Sequence, residues 1–420
     1  MGRSRLLIGM LGLVLAASTV MRWGAAQAQT DALQTPEAPT PTEEPTAGPA
    51  ETPTEEPTAE PTETPASPDA QPAPAEIAGQ PATPTHALLI EAEGNLVWQP
   101  VDAQGLVRQP ATPLTMELDK AERVTALYPS PSGREVLLFV DRPGPDAGEG
   151  TWKAYVVSPP DGRPQEIFTS AQYGLPFRFL AWRPLSSQVA YWDGTAIWLM
   201  DVATGKSELV ARPEAWADLP YSPLVESLAF SPDGNRMVVS FTLTGSGWET
   251  WIAGSDGMGA RRLFASDMAT YGLSWSPDGS LIAFIADDLE VMSPDGEGRR
   301  IVGHDFIGGL PPAWSPDSRF IAFTAAESLP KPAGSAGWTG YRVHVVDVAS
   351  GEESILDAGT RGGEVLPTWS PDAKVLIFLS DRAGSPEVWR VAADGTNMLP
   401  VTTDGLPKSV IPVWVPSDGQ

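Results

Sequence analysis

The heptapeptide Leu273-Ser-Trp-Ser-Pro-Asp-Gly, residues 273–279, decides the fold because it recurs along the chain. Close copies stand at 228–234 (Leu-Ala-Phe-Ser-Pro-Asp-Gly), 312–318 (Pro-Ala-Trp-Ser-Pro-Asp-Ser) and 367–373 (Pro-Thr-Trp-Ser-Pro-Asp-Ala). With three weaker copies, the aromatic anchors are Tyr128, Trp182, Phe230, Trp275, Trp314, Trp369 and Trp414. Successive anchors are 54, 48, 45, 39, 55 and 45 residues apart, which indicates seven copies of one unit.

Each unit contains the pattern of four short antiparallel strands. The aromatic residue ends the first strand, and in the turn that follows Pro fixes φ, Asp bonds the backbone and Gly accepts positive φ. An apolar second strand comes next, as at 281–285, and its apolar character on both faces is typical of a strand between two sheets. A third strand, a polar turn such as 201–205 and a fourth strand complete the unit. This pattern predicts a β-propeller blade.

The two ends of the repeat region complement each other. Only six residues follow Trp414, whereas residues 86–112 contain three strand patterns, at Ala87–Ile90, Leu96–Gln99 and Gly105–Arg108, without an aromatic start. We therefore predict an all-β propeller over residues 86–420, with seven four-stranded blades and the last blade closed by both termini. Six blades are the alternative if Tyr128 or Trp182 does not begin a blade.

The beginning of the chain predicts export. Arg3 and Arg5 precede an uncharged stretch from Leu6 to Met21, and 26–28 (Ala-Gln-Ala) is a small-x-small cleavage site, so residues 1–28 are interpreted as a signal peptide. The alternative is an uncleaved membrane anchor, although the stretch is shorter than the roughly 20 residues that span a bilayer. We expect a bacterial protein outside the cell or on its surface, or in the periplasm if the cell has an outer membrane.

The segment between the signal peptide and the repeats differs in composition from both of them. Residues 30–85 hold 14 Pro, 12 Thr and 11 acidic residues, with no Lys, Arg or aromatic residue. Such a segment has little apolar area to bury and cannot offset the entropy of ordering its backbone. Residues 29–85 therefore predict a disordered Pro/Thr/Glu-rich linker that proline stiffness and charge repulsion keep extended.

Composition excludes several functions. The chain has no Cys and three His, which excludes disulfides, cysteine zinc sites and thiol nucleophiles. Residues 86–420 carry 42 acidic and 24 basic side chains, a net charge of −18 that disfavours nucleic acid as a partner. No Gly-x-Ser-x-Gly elbow, His-Glu-x-x-His or Walker motif is present. We predict no catalytic residue, no metal and no cofactor, although a carboxylate pair acting on polysaccharide stays open among so many acids.

The histidines in the repeats fit structural positions. His344 alternates within 342–346 and is interpreted as a strand residue, either paired or exposed. His304 lies between two blades, where a hydrogen-bonded loop residue is the simpler interpretation and a ligand contact the alternative.

The repeats resemble the WD40-like (PD40) repeats of TolB-type propellers. The closest stretch is 378–396, Phe-Leu-Ser-Asp-Arg-Ala-Gly-Ser-Pro-Glu-Val-Trp-Arg-Val-Ala-Ala-Asp-Gly-Thr. The resemblance implies a propeller that serves mainly as a protein-interaction platform and that in some members gates a serine peptidase. The chain departs from TolB itself in having seven starts and a linker in place of an N-terminal α/β domain, so the role of TolB is not implied.

The long connections predict a binding face. They lie between second and third strands or between blades, which emerge on the same face of a propeller, at 141–151, 169–179, 211–227, 243–249, 303–312, 327–340 and 357–366. The candidate ligand-binding residues in and beside these segments are aromatic: Phe177, Trp216, Tyr221, Trp248, Phe306 and Trp338. The alternative is that these residues fold back over the blades as covers.

These observations together predict an exported, non-catalytic and monomeric binding module. Its expected ligand is a protein or peptide held on the long-loop face. The alternatives are a carbohydrate-binding or polysaccharide-active propeller and an accessory propeller for a separately encoded peptidase. A membrane contact is expected only through the uncleaved N-terminal anchor.

Overall fold

A computed structural model describes most of the chain after residue 85. The described residues are 86–92, 95–102, 104–107, 109–114, 122–142, 151–158, 163–169, 178–210, 224–243, 247–304, 311–326, 340–356, 362–403 and 410–416. The predicted signal peptide (1–28) and linker (29–85) lie outside them. All the regular secondary structure within these ranges consists of β-strands. In the same ranges, no helix is long and apolar enough to cross a membrane.

The strands form seven four-stranded antiparallel sheets, which we number as blades 1–7. Blade 7 contains β1 (His86–Ala92), β2 (Asn95–Val101), β3 (Thr112–Leu114) and the last strand of the chain, described below. Blade 1 contains β4 (Arg123–Pro129), β5 (Val136–Arg142), β6 (Thr151–Val157) and β7 (Gln165–Thr169). Blade 2 contains β8 (Arg178–Trp182), β9 (Gln188–Trp192), β10 (Ile197–Asp201) and β11 (Ser207–Leu209). Blade 3 contains β12 (Leu224–Phe230), β13 (Arg236–Leu243), β14 (Gly247–Gly254) and β15 (Arg261–Ser266).

The remaining blades follow in chain order. Blade 4 contains β16 (Tyr271–Trp275), β17 (Ile282–Ile285), β18 (Leu289–Met292) and β19 (Arg300–Gly303). Blade 5 contains β20 (Ala313–Trp314), β21 (Phe320–Ala326), β22 (Tyr341–Asp347) and β23 (Glu353–Ile355). Blade 6 contains β24 (Glu364–Trp369), β25 (Val375–Ser380), β26 (Glu387–Ala392) and β27 (Leu399–Pro400). The final strand is β28 (Val413–Pro416).

The two termini share blade 7, as predicted. Strand β28 pairs antiparallel with β1, with Leu88 opposite Trp414 and Ala87 opposite Val415. The sheet order is β28-β1-β2-β3, so the last strand of the chain is the first strand of this blade. Tyr128 and Trp182 both stand in first strands, which excludes the six-blade alternative.

The predicted third strand at Gly105–Arg108 is wrong. Asp102 Oδ1 accepts the N–H groups of Gln104 (2.9 Å) and Leu106 (3.0 Å), which folds the segment into a turn. Val107 makes one isolated bridge to Val101, and β3 takes the outer position of the sheet instead.

The core lies in the seams between blades. Middle strands such as β17 and β25 are buried along their whole length, whereas the outer strands β11 and β23 are exposed throughout. First strands of neighbouring blades contact one another, for example β12 with β8 and with β16, and so form the inner ring. The buried apolar side chains of the described residues fall into seven clusters, one in each seam.

Aromatic anchors also join blades through hydrogen bonds. The indole Nε1 of Trp182 donates to the carbonyl of Tyr128 (2.9 Å), that of Trp275 to Ala229 (3.3 Å) and that of Trp369 to Ala313 (3.1 Å). In each case the acceptor belongs to the inner strand of a preceding blade. These residues therefore stabilise the seams between blades.

The turn after each anchor satisfies its own polar groups. Ser276 Oγ donates to Asp278 Oδ1 (2.6 Å) and accepts the N–H of Leu281 (2.9 Å), while the Gly279 N–H donates to the Ser276 carbonyl (2.8 Å). Gly279 has φ 74°. The same bonds recur in the turns that begin at Ser231, Ser315 and Ser370. The Asp residues of these turns thus bond within the turn, as the sequence pattern predicts.

The antiparallel order assigns every connection to one of two faces. If the first strand runs towards one face, the turns from first to second and from third to fourth strand lie on that face. The loops from second to third strand and from blade to blade then lie on the opposite face. All seven connections predicted to be long belong to this second group, but the one predicted at 243–249 is short, because only residues 244–246 separate β13 from β14. On the opposite face, the ten residues 102–111 connect β2 to β3. We call the two sides the short-turn face and the long-loop face.

Gly234 is a position where both conformation and space require glycine. Its φ is 69°, and a Cβ there would lie 2.7 Å from the Pro184 carbonyl oxygen of blade 2. Gly351 has φ 73°, but no atom lies within 4 Å of the position that a Cβ would take there. We expect Gly351→Ala to lower the free energy of unfolding by about 1 kcal/mol, and Gly234→Ala by about 3 kcal/mol because the blades must also separate. Guanidinium unfolding measures both; equal losses would contradict the inter-blade contact.

The turn carboxylates predict acid sensitivity. The Ser276 hydroxyl bond holds the pKa of Asp278 below its usual value, with the Ser280 bonds adding to it against burial. Because the folded-state pKa is the lower one, this stabilisation is complete above about pH 4 and is lost as pH falls through the folded-state pKa. We expect Ser276→Ala to lower the free energy of unfolding by about 1 kcal/mol at pH 7, and by less at pH 2–3.

Ser186→Ala is the control for this experiment. The Ser186 hydroxyl donates to the Arg183 carbonyl (2.9 Å) instead of a carboxylate, so its loss should cost the same at both pH values. Urea unfolding between pH 2 and 7 measures both variants. A loss for Ser276→Ala that does not vary with pH would refute the assignment.

Candidate binding face

Of the six aromatic candidates, one lies in the described part of the chain. Trp248 stands at the long-loop end of β14, where it pairs with Thr242 of β13 and Ser266 of β15. Phe177, Trp216, Tyr221, Phe306 and Trp338 lie outside the described residues, so their role in binding stays a prediction.

Trp248 is half-buried, and its ring nitrogen is fully buried. Two residues further along β14, Thr250 is fully buried as well. Because alternate residues of a strand point to the same side, Trp248, Thr250 and Ile252 all face blade 4, where Ile252 packs with Leu273 and Trp275. Trp248 therefore caps the outer end of the seam between blades 3 and 4.

Polar side chains at the long-loop ends of blades 1 and 3 are committed to one another. In blade 3, Glu226 accepts the Thr242 hydroxyl (2.8 Å). Glu249 accepts the Trp251 indole N–H (2.8 Å) and pairs with Arg262 (2.8 Å). In blade 1, Lys153 pairs with Glu122 at 3.0 Å, a bond that raises the pKa of Lys153.

A buried ionic cluster lies in the seam between blades 5 and 6. Arg342 and Glu364 are each 1% exposed. Arg342 Nη1 donates to the carbonyls of Tyr341 (2.9 Å) and Gly362 (2.8 Å), while Glu364 forms a short ion pair with Arg382. The Arg382 guanidinium also lies 4.8 Å from the Trp389 ring centroid.

This cluster fixes the stems of two long connections. Arg342 is the second residue after the 327–340 connection, and Gly362 is the first residue after the 357–361 segment. Ser380 Oγ donates to the Gly363 carbonyl (2.8 Å), and Asp381 Oδ1 accepts the Gly363 N–H (2.6 Å). The ends of the two connections are therefore bonded to each other where they enter blades 5 and 6.

The sequence alone did not predict that Arg342, Glu364 and Arg382 form a cluster. Arg382 belongs to the Ser-Asp-Arg stretch that carries the family resemblance, which is a usable signal. Arg342 gives no such signal in the sequence, because it stands in an alternating strand pattern where an exposed polar residue is expected. Its burial arises from blade 6, about twenty residues further along the chain.

The two histidines of the repeats are both paired. His344 Nδ1 forms a short contact with Glu353 Oε1, and its ring packs against Phe323 with centroids 5.5 Å apart. His304 Nδ1 lies 3.3 Å from Asp288 Oδ1, at the long-loop end of blade 4. Both positions agree with structural roles. The described residues contain no group of three or more His, Asp or Glu that could hold a metal ion.

The long-loop end of blade 4 also carries Tyr271, whose phenol is partly buried. Burial, with the nearby Asp287 carboxylate adding to it, raises the pKa of Tyr271 to about 12. Tyr271 therefore stays neutral throughout the physiological pH range, as a hydrogen-bonding and apolar surface and not as an acid or base.

Comparison with known proteins supports the resemblance over part of the chain. No protein-family model matches the chain. The Tol-Pal system protein TolB of Anaeromyxobacter sp. strain K and that of Anaeromyxobacter dehalogenans strain 2CP-C are each 32% identical over 138 residues. Each match covers 30% of this chain and 27% of the relative, so the chain spans about a quarter of the curated relatives' length.

Solved propellers share the fold at low identity. TolB from Acinetobacter baumannii is 17% identical with a TM-score of 0.42, over 79% of this chain and 82% of its own. A 6-phosphogluconolactonase homologue from Bacteroides uniformis, itself assigned only provisionally, is 14% identical with a TM-score of 0.50, over 79% and 99%. At these identities the likeness concerns the fold alone. The chain is thus related to TolB in part of its sequence and is a seven-bladed propeller in structure.

The ionic cluster predicts a large effect for removing one partner. Arg382→Met takes the guanidinium from the buried Glu364 carboxylate, and we expect the free energy of unfolding to fall by about 3 kcal/mol. The double variant Glu364→Gln/Arg382→Met removes the stranded charge and should recover part of that loss. Guanidinium unfolding measures both. A loss below about 0.5 kcal/mol for the single variant would class the pair with surface ion pairs.

Proposed function

We propose that this protein is an exported, non-catalytic propeller that binds a protein or peptide on its long-loop face. The observation that carries the proposal is the placement of most of the long connections on that one face, with the β2–β3 connection as an exception. Binding residues tend to lie on loops that a rigid scaffold positions, because loops vary without disturbing the core. The blades supply the scaffold and the connections supply the specificity.

The short-turn face is less suited to binding a ligand than the long-loop face. Its carboxylates accept hydrogen bonds within their own turns, for example Asp233 from Ser231 (2.5 Å) and Asp372 from Ser370 (2.7 Å). These bonds leave the turns compact and their polar groups satisfied. A ligand on this face would have to compete with the bonds that hold the turns.

The partial relation to TolB favours a protein ligand. The relatives are named as proteins of a Tol-Pal system. The domain's net charge of −18 disfavours anionic polymers and membranes as ligands. Export through the signal peptide (1–28) and tethering through the linker (29–85) are part of this proposal, and they place the propeller outside the cytoplasm.

Within the long-loop face, we assign the principal contacts to Trp216, Tyr221 and Trp338. All three belong to connections that interrupt the repeat, and large aromatic side chains supply much of the energy at protein interfaces. Arg342 and Arg382 act indirectly, by holding the ends of the connections that carry Trp338 and its neighbours.

Capture by the immobilised full chain tests the proposal. We expect one protein from culture fluid or envelope extract to be retained, and Trp216→Ala/Trp338→Ala to reduce its retention at least tenfold without lowering the melting temperature. Leu185→Ala/Met258→Ala is the matched control, because these exposed apolar residues (89% and 64%) lie on the short-turn face.

Each outcome separates the alternatives. Equal loss with the control double variant would place binding elsewhere and overturn the assigned face. Retention of polysaccharide in place of protein would favour the carbohydrate-binding function, and release of reducing or unsaturated ends would favour the polysaccharide-active one. A co-purifying hydrolase would support the accessory role for a peptidase.

A further inference from the structure

Blade 7 differs from the other blades in how its first two strands are connected. In blades 1–6 a short turn of the chain joins the first strand to the second, whereas in blade 7 these strands are β28 and β1, the last and the first of the fold. They are held by a ladder of four residue pairs, from His86–Pro416 to Leu89–Val413. The closure of this blade therefore depends on noncovalent contacts alone.

The connection from β2 to β3 begins with a tight turn around Asp102. This residue is buried, and its Oδ1 accepts the N–H groups of Gln104 and Leu106. Its backbone N–H donates to the Leu106 carbonyl (3.1 Å), and its carbonyl accepts the Gly105 N–H (2.9 Å). Four hydrogen bonds to one residue fix the path of the chain here. We call Asp102 and residues 104–107 the β2–β3 turn.

The β2–β3 turn lies against the C-terminal part of the chain. Gly105 is buried with φ 70°, and a Cβ there would lie 3.5 Å from Trp414 Cη2 of β28. It would also lie 3.6 Å from Val375 Cγ1 and 3.7 Å from Arg390 Cδ, which belong to β25 and β26 of blade 6. Val107 packs against the apolar cluster that contains Trp414. The turn thus contacts both β28 and the blade that precedes it.

A charge interaction accompanies these contacts. Arg390 is 5% exposed and Asp102 is 4% exposed. Burial lowers the pKa of Arg390, and the Asp102 carboxylate acts in the opposite direction. Separating two buried charges of opposite sign is costly, because each would then lie uncompensated in its own blade. The attraction between Asp102 and Arg390 therefore holds blade 7 against blade 6.

The corresponding turns of other blades contact only the outer edge of their neighbour. Gly296 of the β18–β19 turn approaches Leu263 of β15, and Gly395 of the β26–β27 turn approaches the Leu356 carbonyl, next to β23. These third-to-fourth-strand connections have five to seven residues, whereas the β2–β3 connection has ten. Gly105 contacts first-, second- and third-strand residues instead. The longer connection thus occurs in the blade that both termini share.

We propose that the β2–β3 turn is a latch that holds the ring closed. It joins β2 to β28 and to blade 6, across the point where β28 and β1 have no covalent connection. When the latch is released, β28 separates from β1 while the other six blades stay folded. The long connection on the short-turn face serves closure of the ring, and this inference does not depend on the ligand of the long-loop face.

Amide hydrogen exchange in the full chain tests the latch. Asp102→Ala removes the acceptor of two N–H groups and the carboxylate near Arg390. We expect it to raise the exchange rates of β28 and β1 at least tenfold and to leave those of β16 and β17 within twofold.

Asp347→Ala is the matched control. Asp347 Oδ1 accepts the N–H groups of Ala349 (3.0 Å) and Ser350 (3.1 Å) in the corresponding turn of blade 5. The first two strands of that blade are joined by a turn of the chain. In this variant β28 and β1 should exchange as they do in the unmodified protein.

A disulfide separates local opening from a general loss of stability. Ala87 and Val415 face each other in the β1–β28 ladder, at the spacing that a disulfide spans, and the chain has no Cys of its own. In the Asp102→Ala background, oxidised Ala87→Cys/Val415→Cys should restore slow exchange of β28, and reduction should abolish the restoration.

Any one of four results would refute the latch. The first is unchanged exchange of β28 in Asp102→Ala, and the second is an equal increase in all blades. The third is an equal increase at β28 in Asp347→Ala, which would make the β2–β3 turn equivalent to the others. The fourth is a disulfide variant that still exchanges fast at β28 or does not fold, since Asp102 would then support more than the closure.

Discussion

The structure depends on the burial of two faces of every blade against its neighbours. Middle strands such as β25 are buried at every residue, and their side chains point alternately into the seam before and the seam after. Removing one blade would expose a whole cluster on each side, at about 25 cal/mol for every Å² of apolar surface. A ring is the arrangement that leaves no such face uncovered, and the β28–β1 pairing completes it.

The same constraint sets what can vary between seams. Their centres are apolar throughout, because each must pack at the density of a protein interior. Towards the long-loop face they differ: the Arg342 guanidinium joins blades 5 and 6 through the Gly362 carbonyl, and the Ser240 hydroxyl joins blades 3 and 4 through the Thr270 carbonyl. Polar groups occur where the strands end and connections begin, so each seam fixes its loops in its own way.

The sequence predicted the parts of the fold that depend on local interactions. The Ser-Pro-Asp-Gly turn is stabilised by bonds within six residues, so each copy is recognisable by itself. The outer strand of blade 7 was missed because Thr112–Leu114 faces solvent and carries no apolar pattern. Leu106 and Val107 have that pattern, but Asp102 binds the backbone there and prevents a ladder. Long-range burial, as at Arg342, leaves no trace in the sequence of its own strand.

In the proposed function specificity comes from the connections, because several polar side chains at the described ends of the blades are bonded to one another. Glu226 is bound to Thr242, Glu249 to Arg262, and Glu364 to Arg382. A ligand that recruited any of these groups would first have to break a bond on which a blade or a seam depends. The division between a satisfied scaffold and loops that can change is therefore a consequence of how the blades hold together.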